Sequence, residues 1–185
     1  VMAPLFDDFL ERFTAATAAR AKVGDPRDPD VMVGPMIDSA NLERVERWVQ
    51  RARDDGAQVL CGGKPQGTCY LPTVITGADP ALQVVAEEAF APLVVVEKVA
   101  DWDEAISRVN DSHFGLQCAV FTNEISALWS CFEQLEVGGI IHNDSSLFRV
   151  DHMPYGGVKD SGQGREGPKY AYEEMTEPRL LVLNP

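Results

Sequence analysis

Two adjacent carboxylates, Glu87 and Glu88, stand just ahead of Phe90 and Pro92. Each offers two acceptor oxygens to a donor-rich ligand. Spacing alone equally allows a solvated pair capping a short helix, with Phe90 in the core. Arg149 presents a planar guanidinium that can grip a carboxylate or a phosphate; an exposed ion pair, worth little, is the plainer reading. His152 reads as an ordinary loop histidine, and His113 and His142 carry weaker signals still. Five glycines among the fourteen residues Pro154–Gly167 accompany Lys159, Ser161, Arg165 and Glu166. That composition suggests a phosphate cradle, but the G-x-x-x-x-G-K-[ST] spacing and a clear preceding strand are missing. Glycine-enabled tight backbone packing is the better expectation. Cys61, Cys69, Cys118 and Cys131 form no C-x-x-C and no zinc spacing, so each reads as a small buried hydrophobe in a reducing compartment. No metal site is expected.

The elements that must position these residues follow from periodicity. Pro4 suits a first helical turn. Leu5, Phe6, Phe9, Leu10 and Phe13 recur at helical spacing, which predicts a helix over Pro4–Lys22, ended by Gly24-Asp25-Pro26. Asp38 or Ser39 caps a second helix with Leu42, Val45, Trp48, Val49 and Ala52 on one face. Gln58–Cys61 is a short strand, and Tyr70–Ile75 is rich in β-formers. Leu93–Val99 is an unbroken apolar run, as in a parallel strand buried on both faces. A helix opening at Asp101, a strand over Gln117–Thr122, a helix over Glu124–Leu135 and a strand over Gly138–His142 follow in turn. Glu166–Glu174 suggests a short helix and Arg179–Leu183 a final strand. Strand–helix alternation predicts an α/β layer with right-handed crossovers.

The 185 residues give room for one ordinary domain or a large piece of a bigger one. Sixteen Lys+Arg against 29 Asp+Glu leave a net charge of -13. That argues against nucleic acid and against an anionic membrane surface as partners. The longest apolar run, Ala89–Val96, is too short to span a bilayer. The first residues lack the pattern of a secretory leader, so a cytoplasmic location is expected.

Composition stops at a soluble α/β domain; motif order goes further. Val23-Gly24-Asp25-Pro26, Gly34-Pro35 and Gly56-Ala57 come first, then Gly62-Gly63, Leu71-Pro72-Thr73-Val74 and Glu87-Glu88-Ala89-Phe90-Ala91-Pro92. Asn110–Leu116, Val120-Phe121-Thr122, Asn143, Met153–Gly162 and Gly164–Gly167 complete the series. Together, and in this order, they resemble the C-terminal part of the aldehyde dehydrogenase superfamily. The resemblance implies an aldehyde dehydrogenase-like catalytic domain over 1–175, with a largely parallel sheet flanked by helices. It implies a C-terminal oligomerisation strand over 176–185, and hence a homo-oligomer.

The resemblance also implies roles. The parent reaction is oxidation of an aldehyde to a carboxylate by NAD or NADP through a cysteine thiohemiacetal and thioester. Glu88 is the family glutamate that holds the nicotinamide ribose hydroxyls, a task a carboxylate suits. Phe90 is the phenylalanine beside that ribose, although Ala91 stands where the family often has glycine. Asn41 and Arg44 match positions that reach towards the cofactor. Asn143 orders the substrate-tunnel loop, and Phe148, Arg149 and His152 should line the aldehyde entrance. Around Phe148–Ser161 the sequence looks nearest to lactaldehyde, glyceraldehyde-phosphate and semialdehyde branches. The family nucleophile sits in a G-Q-x-C-like segment, and no such segment occurs here. The general-base glutamate, the oxyanion asparagine and the Rossmann domain are also missing. The 185 residues alone are therefore expected neither to turn over aldehyde nor to hold NAD(P). The competing reading is a stand-alone non-catalytic binding or assembly module of the same fold.

Overall fold

A computed structural model describes residues 1–184. Contacts cluster into two compact units, Val1–Asp101 and Trp102–Pro185, within the stretch that the sequence treats as one domain plus a tail.

The first unit begins with α1 (Ala3–Arg20), with Pro4 in its first turn, followed by α2 (Ser39–Asp54). Asp38 caps α2: its carboxylate accepts the Asn41 backbone N–H at 2.7 Å. Strands β1 (Gln58–Cys61), β2 (Pro65–Gln66), β3 (Cys69–Tyr70) and β4 (Thr73–Thr76) come next, then α3 (Gln83–Ala86) and β5 (Leu93–Val96). The predicted α2 face is the core. Val45, Val49 and Ala52 pack with Tyr70, Ile75 and Val84. Leu10 and Phe13 join Phe6 of α1 in a second cluster with Val74 and Val96.

The expected β-run Tyr70–Ile75 is split. Pro72 has no N–H to donate to a ladder, and the chain turns there. Buried Thr73 holds the turn: its hydroxyl donates to Leu71 O at 2.6 Å and accepts the Gly63 N–H at 2.8 Å. Neighbouring Gly62 has φ +67°, and any Cβ there would overlap Pro72 O. The Tyr70 hydroxyl has no hydrogen-bond partner among the described residues, and burial pushes its pKa up to about 12, so the phenol stays neutral.

The second unit runs α4 (Trp102–Asn110), β6 (Phe114–Gly115), β7 (Gln117–Val120), α5 (Ile125–Gln134), β8 (Gly139–His142), β9 (Val158–Lys159) and α6 (Pro168–Glu174). Ile106, Val120 and Cys131 form its core, with Trp102, Leu128 and Ile140 against them. The glycine-rich segment packs backbone on backbone, as its composition suggests. A Cβ on Gly138 would overlap the carbonyl of Gly156.

Three expectations need correction. The sheet is not largely parallel. The described strands form a three-stranded sheet β1-β4-β5 and three two-stranded ones, of which only β4–β5 and β7–β8 are parallel. Both parallel pairs enclose a helix, α3 or α5, and a crossover is what parallel pairing requires. Strand β5 is not buried on both faces. It lies at the edge of its sheet, and Val94 remains 38% exposed. Finally, Arg179–Leu183 forms no strand in this chain, and Leu180, Leu181, Val182 and Leu183 are all exposed.

Candidate functional site

Each set of sequence-predicted residues lies inside one unit. In the first unit a cleft of about 560 Å³ is lined by Asn41, Phe90, Met36, Ile37, Ala91 and Pro92 among others. Phe90 does not enter the core: the residue is 76% exposed. Its backbone has φ +47°, in the left-handed region that side chains avoid. Helix α2 supplies the hold on this loop. Arg44 donates to Ala89 O at 2.7 Å, between Glu88 and Phe90. The same guanidinium donates to Asn41 Oδ1 at 3.2 and 3.3 Å and lies 4.4 Å from the Trp48 ring centroid.

Asn41 also donates from Nδ2 to Asp38 Oδ1 at 2.9 Å, which leaves one amide N–H for a ligand. The hydrogen bonds from Asn41 hold the Asp38 carboxyl below the ordinary aspartate range. Glu87 ends α3, its N–H donating to Gln83 O at 3.0 Å. Glu88 is exposed and has no hydrogen bond or ion pair among the described residues, so both carboxylate oxygens remain available. Glu88 offers a free acceptor carboxylate, Asn41 an amide N–H and Phe90 an aromatic face, on a loop that Arg44 holds. Those residue types suit a vicinal diol and a flat ring.

The second unit carries the other set on the loop after β8. Asn143 ends that strand with φ +53°. Its N–H donates to Val120 O at 3.0 Å. Its side chain accepts the Thr122 N–H at 2.9 Å and donates to Thr122 O at 3.0 Å. His142 Nε2–H donates to the same carbonyl at 2.8 Å, which gives that histidine a structural use. Phe148 is 46% exposed. Arg149 donates to Glu166 Oε2 at 2.6 Å and stacks over Tyr155, 4.4 Å from its centroid. The bland ion-pair reading of Arg149 thus describes its partner in this structure. Yet the pair is 44% and 65% exposed, so the guanidinium keeps donors facing solvent. His152 is exposed and makes no hydrogen bond among the described residues.

Sequence reasoning missed Gln117, whose amide holds this loop. The available signal was a polar residue at the head of the apolar run Gln117–Thr122. It also missed that Tyr155 and Glu166, joined by an isolated β-bridge, would form a platform for Arg149. No cysteine lines the cleft of the first unit. Burial pushes the Cys118 and Cys131 thiols up, away from thiolate. No group of histidine, cysteine and carboxylate side chains could hold a metal among the described residues.

Comparison with known proteins gives this arrangement its class. Residues 1–181 match the aldehyde dehydrogenase family, and the chain belongs to it. It is 51% identical over 162 residues to a 3-sulfolactaldehyde dehydrogenase of Priestia aryabhattai, covering 88% of this chain and 34% of that protein. Among solved structures it superposes on aldehyde dehydrogenase 21 from Physcomitrella patens, in complex with the reaction product succinate. There the TM-score is 0.95 at 41% identity, over 99% of this chain and 38% of that one. A glyceraldehyde-3-phosphate dehydrogenase from Methanocaldococcus jannaschii, complexed with NADP, matches at TM-score 0.88 and 40% identity, over 94% of this chain and 38% of that one. The chain therefore spans a little over a third of the length of the relatives it matches.

Proposed function

We propose that this chain is the C-terminal part of the catalytic domain of an NAD(P)-dependent aldehyde dehydrogenase, and that it contributes one wall of the cofactor site and one wall of the aldehyde site. The observation that carries the reading is the cleft in the first unit, where Phe90 sits exposed on a left-handed backbone beside Asn41, with Arg44 clasping Ala89 O. Glu88 accepts the ribose hydroxyls, Phe90 packs its face beside the ribose, and Asn41 and Arg44 steady the loop from α2. NAD(P), when bound, supplies the hydride acceptor for aldehyde oxidation. On the substrate side, Asn143 orders the loop, Phe148 walls the entrance and His152 lines its rim. Arg149 meets an anionic group on the aldehyde. Relatives named for sulfonated and semialdehyde substrates support an acidic tail on that aldehyde.

The nucleophilic cysteine and the general base lie outside these 185 residues, so the chain by itself forms no thioester and releases no acid. The exposed Leu180–Leu183 supports assembly by strand addition to a second copy. Four free thiols fit the reducing cytoplasm. Among the described residues no helix is long and apolar enough to cross a membrane.

The test is steady-state kinetics on the complete protein that carries this chain. Glu88→Gln keeps the shape and removes the charge. The expected result is a KM for NAD(P) raised about tenfold, the scale of one charge-assisted hydrogen bond. An unchanged KM sinks the cofactor reading, and aldehyde-dependent NAD(P)H formation by the 185-residue chain alone sinks the division of labour.

A further inference from the structure

The loop after β8 contains no buried side chain from Asn143 to His152. Apolar packing does not account for its shape, so polar contacts must. Gln117, the first residue of β7, supplies two of them. Its Nε2 donates to Ser146 O at 2.7 Å and to Phe148 O at 3.1 Å. One amide group thus spends both of its N–H bonds on two carbonyls of the same loop, on either side of Leu147. The amide is itself placed by its neighbour. Gln117 pairs with Gly139 across the sheet, and a Cβ at 139 would lie 3.6–3.7 Å from the Gln117 Oε1, Cδ and Cγ. The glutamine side chain therefore lies over a bare glycine. Two residues beyond the other end of the same strand, Thr122 holds Asn143. The loop is tied to Gln117 at the start of β7 and to Thr122 just past its end, with Phe148 at the Gln117 end.

We infer that Gln117 is the positioning residue that sets Phe148 and Arg149 for the aldehyde. This inference rests on the substrate-side reading given above. Gln117 touches neither substrate nor cofactor; it acts through the two carbonyls that flank the loop tip. Arg149 is then held three ways: by its backbone neighbour on Gln117, by its ion pair with Glu166 and by the Tyr155 ring.

The experiment uses the complete protein with Gln117→Leu, which keeps bulk and removes the donors, and Arg149→Met beside it. Two readouts are taken, hydrogen exchange of the Ser146–Val150 amides and the full kinetic constants. The inference expects faster exchange in that segment with the β7–β8 amides unchanged. It also expects an aldehyde KM raised about tenfold, the scale of one to two lost hydrogen bonds. The kcat and the KM for NAD(P) stay within about twofold of wild type, as for a change confined to aldehyde binding. Unchanged exchange in Gln117→Leu overturns the anchor, while a raised aldehyde KM in Arg149→Met alone leaves the substrate-side reading standing. Faster exchange with an unchanged aldehyde KM in both variants overturns that reading and the inference with it. A uniform fall in all constants with a lowered Tm means that Gln117 is only structural, which also overturns the inference. If Gln117→Leu does not fold, Gln117→Glu has the same shape without the donors, and the same outcomes apply to it.

Discussion

The two loops that carry the candidate residues are held in opposite ways. Glu87–Pro92 lies against a helix whose buried face is the main core of the first unit, and a single arginine from that helix clasps it. The loop after β8 lies over no core. It is fixed by Asn143 on Thr122, Gln117 on Ser146 and Phe148, and Arg149 on Glu166. Hydrophobic burial secures a support but does not aim a side chain, whereas hydrogen bonds fix direction at small net energy. The first loop therefore depends on its scaffold, and the second on individual polar atoms.

Substitutions at three positions sharpen that contrast. The largest effect belongs to the core. Ile75 is fully buried, and Ile75→Ala should lower the unfolding free energy by about 2–5 kcal/mol, the cost of a cavity at such a site. Denaturant unfolding reads it directly, and a loss under about 1 kcal/mol would mean that this cluster is not the support described. Next comes Asn143→Ala, which removes the latch on Thr122 and forces alanine into φ +53°. A loss of about 2 kcal/mol is expected, with Asn143→Gly losing about 1 kcal/mol because glycine tolerates that backbone. Equal losses in the two variants would remove the backbone share of the argument. The smallest effect is at Asp38. Hydrogen bonds from Asn41 depress its folded pKa, so the stability it adds is present above the unfolded aspartate pKa and fades as pH falls through the lower folded value. Asp38→Asn keeps an acceptor for the cap and should flatten that acid-side dependence. An unaltered acid limb would mean that the carboxylate is not the titrating group.

Much of this architecture was legible in the sequence, for physical reasons that differ by element. Helix α2 was, because its cap and its buried stripe are local properties of one segment. Strand β1 was, because a short β-run ended by two glycines permits little else. The strand pairing was not: whether β1 meets β4 parallel or antiparallel depends on the connection between them, where Pro72 and the Thr73 hydroxyl make the turn. The exposure of Val94 was hidden because an apolar run does not reveal which strand becomes a sheet edge. Among site residues, Glu88, Phe90 and Asn143 stood out by motif, and Arg149 by charge. Spacing alone left a core placement of Phe90 open beside the ribose role that the resemblance implied, and its exposure removes the core placement. Gln117 escaped notice because its role lies in two carbonyls that carry no sequence signal of their own.

The backbone of Phe90 has a consequence for laboratory evolution. A large aromatic, mostly solvated, sits where only glycine is at ease. Heat selection on a library of the complete protein that carries this chain would favour Phe90→Gly, which releases strain of about 1 kcal/mol and gives up little packing. The same clones would have lost the ring that faces the cleft. On the cofactor reading proposed above, a screen that ranks survivors by melting temperature alone would enrich variants with weakened cofactor binding, and a paired screen for turnover would retain the phenylalanine.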